Sequence, residues 1–145
     1  MSDNVNHPSW YTKDPSGIEC IDVVSALPND LGCAIKYVWR HGNKWNELED
    51  LKKARWYLHH LERSGITSDG LRSVISAYCN AIDMPFSTWA DMVSRVENSW
   101  DDRDCEEMSG FFEGLGNLDI EAMIFFVDEL IDQCLERSDD ASKSE

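Results

Sequence analysis

Residues 30–41 read DLGCAIKYVWRH, and their spacing decides the fold. Leu31, Ala34, Ile35 and Val38 recur at the period of one helical face, so the run predicts a helix with a buried apolar stripe. Leu27-Pro28 breaks the chain just before it, Asn29 or Asp30 supplies a cap, and Gly42 supplies a stop. A second stripe of Cys33, Lys36, Tyr37 and Arg40 runs beside the apolar one rather than opposite it. Polar groups held next to a core are where a helix can present chemistry.

Working outward, Asn46 followed by Glu49 reads as a capping signal, and Leu51, Ala54, Leu58 and Leu61 line a helix reaching about Arg63 that Gly65 closes. Asp50, Lys53 and Tyr57 share its adjacent face. On the other side, a short helix is expected from Ile18 to Ala26. Residues 1–17 contain His-Pro, Asp-Pro and Ser-Gly breakers and read as an irregular arm pinned by Trp10 and Tyr11. Beyond Gly65 the period stays helical: Leu71, Val74, Ile75, Tyr78 and Ile82 form one segment. After Pro85 come Trp89, Met92, Val93, Val96 and Trp100. Cys105, Met108, Phe112 and Leu115 mark a short helix stopped at Gly114-Leu115-Gly116. Ile120, Met123, Ile124, Val127, Ile131 and Cys134 mark a long last one, with a disordered tail expected from Ser138. With no alternating strand and no repeat, the expected fold is all-α, six or seven helices with little or no strand.

Charge divides the chain in the same region. Residues 1–64 hold eight Lys/Arg against nine Asp/Glu, while residues 65–145 hold five against nineteen, so 14 of the 15 net negative charges lie after Ser64. The expected organisation is a module at 1–66, an acidic helical region at 67–137 and a tail at 138–145. So acidic a body repels nucleic-acid backbones and anionic headgroups; direct nucleic-acid or membrane binding is not expected, and a basic protein is the fitting macromolecular partner. The plainer reading is that acidity keeps a helical protein soluble.

Five scattered cysteines with no C-x-x-C pair indicate neither zinc nor a disulfide framework. His59 and His60 are adjacent and cannot form the zinc pair of H-E-x-x-H. Gly114-Leu115-Gly116 lacks the strand of a dinucleotide fingerprint, so no dinucleotide cofactor is expected. No apolar run reaches the roughly 18 residues of a membrane span and no signal peptide is evident, which places the expected site of action in the cytoplasm.

Glu19 and Asp22, and Glu47 and Asp50, are each three residues apart, a spacing that projects both carboxylates of a pair to one side of a helix. Two such helices can present four carboxylates to Mg²⁺. The arrangement resembles that of all-α nucleoside triphosphate pyrophosphohydrolases of the MazG type; the same spacing is also expected by chance in a chain with 28 acidic residues. Lys36, Arg40, Lys44 and Lys53 fall on or beside two helices and can line a phosphate pocket.

The segments NHPSWY, GIECIDVV, LGCAIKYVWRHGNK and DLKKARWYL, within residues 7–61, resemble in order and spacing the SaV-like family of small phage proteins, a domain of unknown function. The family pattern falls on His7, Gly17, Glu19, Asp22, Gly32, Ala34, Lys36, Tyr37, Arg40, Asp50, Leu51, Lys53, Ala54, Tyr57 and Leu58, with Cys33 standing where the family usually has Asn. Because members are often called nucleotide kinases, the resemblance implies a nucleotide or deoxynucleotide ligand and phosphoryl transfer in the host cytoplasm. Lys36, Arg40 and Asp50 would then be catalytic, and His7, Tyr37, Lys53 and Tyr57 would bind substrate. Glu19, Asp22 and Asp50 would hold Mg²⁺. No G-x-x-x-x-G-K-[ST] loop is present, so the fold would not be that of an ordinary kinase. The competing expectation is a non-enzymatic interaction protein whose acidic surface mimics a polyanion and blocks a host defence or nucleic-acid-binding protein. Homo-oligomers are a reasonable expectation for so small a helical module.

Overall fold

A computed structural model describes residues 14–41 and 46–143. These hold seven helices and no strand: α1 (Cys20–Val24), α2 (Asn29–Arg40), α3 (Glu47–Arg63), α4 (Ser68–Ala81), α5 (Phe86–Asp102), α6 (Glu106–Gly116) and α7 (Ile120–Lys143). The all-α expectation holds. The long last helix continues through Lys143, past the Ser138 at which a tail was expected. His7, Trp10, Tyr11, Gly42 and Lys44 lie outside the described residues.

α2 and α3 form the hairpin that positions the site. Leu31, Ala34, Ile35 and Val38 are fully buried, as are Leu51, Ala54 and Leu58 on α3. Each fully buried Leu or Ile contributes about 1.5–3 kcal/mol, and the paired stripes close the two helices on one another. α3 packs along α7 on its other flank, where Arg55 meets Asp128 at 3.0 Å and Arg137 meets Glu47 at 2.9 Å. Exposed pairs of this kind contribute at most about 1 kcal/mol each, so apolar burial sets the packing and the charges set the register.

The change in charge near Gly65 is not a break in packing. One cluster of buried side chains runs from Ile18 to Cys134. Trp39 of α2 meets Phe112 of α6 edge to face at 5.5 Å, and Trp89 of α5, fully buried, donates its Nε1–H to the Val23 carbonyl of α1 at 3.0 Å.

Several helix ends depart from the sequence expectation. Pro28, not Asn29 or Asp30, is the N-cap of α2, and Asn46 precedes α3 without a side-chain capping bond. Gly65 does close α3, at φ +77°. The ends of α4, α5 and α6 place Asp83, Asp104 and Leu118 at φ 57°, 56° and 56°, where glycine is usual. At each, the next N–H reaches back into the last turn: Met84 to Cys79 O at 2.9 Å, Cys105 to Trp100 O at 3.1 Å and Asp119 to Gly114 O at 2.9 Å. On α4 the buried stripe is Leu71, Ile75 and Cys79, while Tyr78 and Ile82, read as core, are exposed. No helix among the described residues is long and apolar enough to cross a membrane.

Candidate functional site

The polar stripes of α2 and α3 face each other in antiparallel register. Residues 30, 33, 37 and 40 stand against 60, 57, 53 and 50. At one end His60 Nδ1 lies 2.6 Å from Asp30 Oδ2. Next, the Cys33 thiol, which donates to Asn29 Oδ1 at 3.7 Å, stands beside Tyr57, and electrostatic repulsion from Cys33, followed by desolvation and Tyr37, pushes the Tyr57 hydroxyl above its ordinary value of 10.0. Lys53 Nζ then lies 5.5 Å from the centre of the Tyr37 ring. At the far end Arg40 binds Asp50 through two bonds, Nη2 to Oδ1 at 3.0 Å and Nε to Oδ2 at 3.3 Å.

Along this seam the sequence-predicted residues sit in different surroundings. The Asp50 side chain is 3% exposed and Arg40 is 20% exposed, so these two form a largely buried clamp between helices. A bidentate guanidinium–carboxylate pair at this burial fixes the register of the two helices. Tyr37 and Tyr57, half-buried, stack with ring centres 6.1 Å apart and planes 16° from parallel. Arg40 Cζ lies 4.8 Å from the Tyr37 ring centre. Trp56, which the sequence reading did not single out, stands edge-on to Tyr57 at 5.0 Å, stacks on His60 at 5.3 Å and is 56% exposed. Lys36 and Lys53 are exposed. Lys53 pairs with Glu49 at 3.1 Å, a bond that raises its pKa above the ordinary 10.5, and Lys36 makes no ion pair among the described residues.

The expected carboxylate cluster is not assembled. Glu19 occupies the N-cap of α1, and the Asp22 carboxylate reaches back to accept its N–H at 2.9 Å, so this pair closes a helix end. Asp50 is committed to Arg40, and Glu47 meets Arg137 and, at 3.7 Å, His41 Nε2. Among the described residues no group of three or more His, Cys, Asp or Glu is placed to hold a metal ion.

Cys20, beside the seam at the start of α1, is 2% exposed. Burial pushes its thiol up to about 12 from the ordinary 9.0, against a smaller opposing effect of Lys36. Alkylation of the native protein at pH 8 should therefore leave Cys20 unmodified until denaturant is added, read by peptide mass. The folded state favours the neutral thiol, so this contribution to stability is intact below pH 9 and is lost as pH rises toward 12.

The fold and seam together define an all-α protein whose hairpin carries an aromatic, cation-flanked edge. A family model described as a protein of unknown function (DUF3310) matches residues 5–59, which include this hairpin as far as His59. No curated protein and no solved structure matches the chain.

Proposed function

We propose that this chain is a SaV-like phage protein that binds a nucleotide or deoxynucleotide on the open edge of the α2–α3 seam. The base lies against Tyr37, Tyr57 and Trp56, and the phosphates lie on Lys36 and Lys53. The observation that carries the reading is the stacked tyrosine pair with the exposed Lys53 ammonium 5.5 Å from the centre of one ring, an aromatic surface next to a cation. Stacking on aromatic faces contributes about 1–3 kcal/mol per base, and lysine supplies phosphate neutralisation without a metal. Because Arg40 and Asp50 are spent on the interhelical clamp, the reading commits to binding rather than to kinase or pyrophosphohydrolase chemistry.

The test is thermal unfolding of the full chain with nucleoside mono-, di- and triphosphates, with and without Mg²⁺. At about 100 times Kd a ligand of the folded state adds roughly 2.7 kcal/mol, or about 5–10 °C for a chain of this length. Lys36→Ala and Lys53→Ala should each reduce the shift, leaving the unliganded Tm within about 2 °C. A panel in which no nucleotide moves the Tm rejects this function.

A further inference from the structure

The cations of this chain are unevenly committed. Among the described side chains, the Lys and Arg residues that reach neither a carboxylate nor an aromatic ring are Lys36, Lys52 and Arg63, all exposed and all on α2 and α3. In a chain with 28 Asp and Glu, a cation stays unpaired where its surroundings hold few carboxylates. The hairpin is such a place: α2 and α3 carry six Lys/Arg against five Asp/Glu, inside a chain of net charge −15. The whole-chain charge that argues against a nucleic-acid partner is therefore not the charge of this face.

Lys52, Trp56 and Arg63 follow one another at i, i+4 and i+11, so they stand on one outward face of α3. Lys52 and Arg63 are about 16 Å apart along the helix axis. Trp56 lies between them, 56% exposed and stacked on His60 at 5.3 Å. Its indole continues the tyrosine edge, standing edge-on to Tyr57, which stacks on Tyr37. Cations on both sides of an exposed indole, in line with two tyrosine rings, match a strand whose phosphates are spaced along a backbone and whose bases are free to stack. A duplex keeps its bases inside and would meet the cations alone. The acidic remainder of the chain opposes a strand at long range, but at physiological salt charges more than about 8 Å away are largely screened.

We propose that the outward face of the α2–α3 hairpin binds a single strand of nucleic acid, with Lys52 and Arg63 on its backbone phosphates and a base against Trp56. The inference rests on the aromatic edge of the nucleotide reading and adds to it contacts for the phosphates on either side of the bound nucleotide.

Fluorescence anisotropy of a labelled single-stranded oligodeoxynucleotide of mixed sequence, titrated with the full chain over a range of salt, tests it. Binding is expected. Lys52→Ala/Arg63→Ala should weaken it roughly tenfold and make the slope of log affinity against log salt shallower by about 1.4, the loss of two phosphate contacts. Trp56→Ala should weaken it at least roughly fivefold and leave the slope unchanged. The control Arg72→Ala/Arg95→Ala removes the same charge from α4 and α5 and should stay within about twofold of the parent. Absence of binding, an unchanged slope in Lys52→Ala/Arg63→Ala, an unchanged affinity in Trp56→Ala or an equal loss in the control would each overturn the proposal. So would competition by the matching duplex, by poly-glutamate or by anionic vesicles as strong as that of the unlabelled strand. The mononucleotide thermal shift separates the two readings, because Lys52 and Arg63 take no part in it. Strand binding without any mononucleotide shift rejects the mononucleotide site alone, and a mononucleotide shift without strand binding rejects this inference alone. Circular dichroism of the variants should match the parent, since the replaced side chains are exposed.

Discussion

Trp89→Ala should cost about 3–5 kcal/mol of folding stability, a large share of the roughly 5–15 kcal/mol that holds a domain together. The indole is fully buried, contacts Phe86 at a ring distance of 5.5 Å and spans from α5 to the Val23 carbonyl at the end of α1. Its removal leaves a cavity at the joint between the module and the acidic half. Trp89→Phe separates packing from hydrogen bonding: the ring largely remains, but the Val23 carbonyl loses its donor, for about 1–3 kcal/mol. Urea unfolding followed by far-ultraviolet circular dichroism measures both, with the slope m unchanged if the native and denatured states keep their extents. A Trp89→Phe variant as stable as the parent would mean that the indole N–H does not hold α1 in place.

The part of the fold legible in sequence is the part that hydrophobic period dictates. Leu31, Ala34, Ile35 and Val38 could bury only as one helical face, and Leu51, Ala54 and Leu58 only as another. Helix ends were legible where glycine marked them, as at Gly65. They were not where Asp83, Asp104 and Leu118 take the left-handed conformation, because the fold holds those residues there through backbone bonds that no local composition announces. Tyr78 and Ile82 show the same limit. Their spacing with Leu71 is helical, yet α4 meets its neighbours on the face of Leu71, Ile75 and Cys79, a rotation that only tertiary packing chooses. The disparity in charge between the halves was legible too, but it described surface and not packing, since Trp39 and Trp89 tie the two regions into one core.

The candidate site was legible as residues but not as contacts. The α2 stripe of Cys33, Tyr37 and Arg40 and the α3 stripe of Asp50, Lys53 and Tyr57 each lie beside a core face, and sequence cannot say whether such stripes meet a ligand or each other. Here they meet each other. What remains outward is the aromatic edge, including Trp56, and its signal in the sequence was the run Arg55-Trp56-Tyr57, a second aromatic ring beside a tyrosine already singled out. Glu19 and Asp22 looked like a ligand pair because i,i+3 spacing serves a helix cap as well as it serves a metal.

The clearest separation of scaffold from chemistry is at Asp50. Asp50→Ala removes the carboxylate that neutralises Arg40 inside the seam and should cost about 3–5 kcal/mol, the penalty of breaking one side of a buried pair. Replacing both partners, Arg40→Met with Asp50→Leu, should recover most of that loss, because apolar side chains of similar bulk fill the same space without leaving a charge behind. A purely catalytic or metal-binding Asp50 gives the opposite pattern: unchanged stability in the alanine variant and no rescue by the pair. Chemical unfolding of the two single variants and the double variant completes the cycle, and a coupling below about 0.5 kcal/mol would dissolve the clamp. The nucleotide-induced thermal shift of the rescued double variant then carries separate information. If the tyrosine edge binds the ligand through Lys36 and Lys53, the shift survives the loss of both Arg40 and Asp50, since the pair supplies register and the bulk of Met and Leu preserves it.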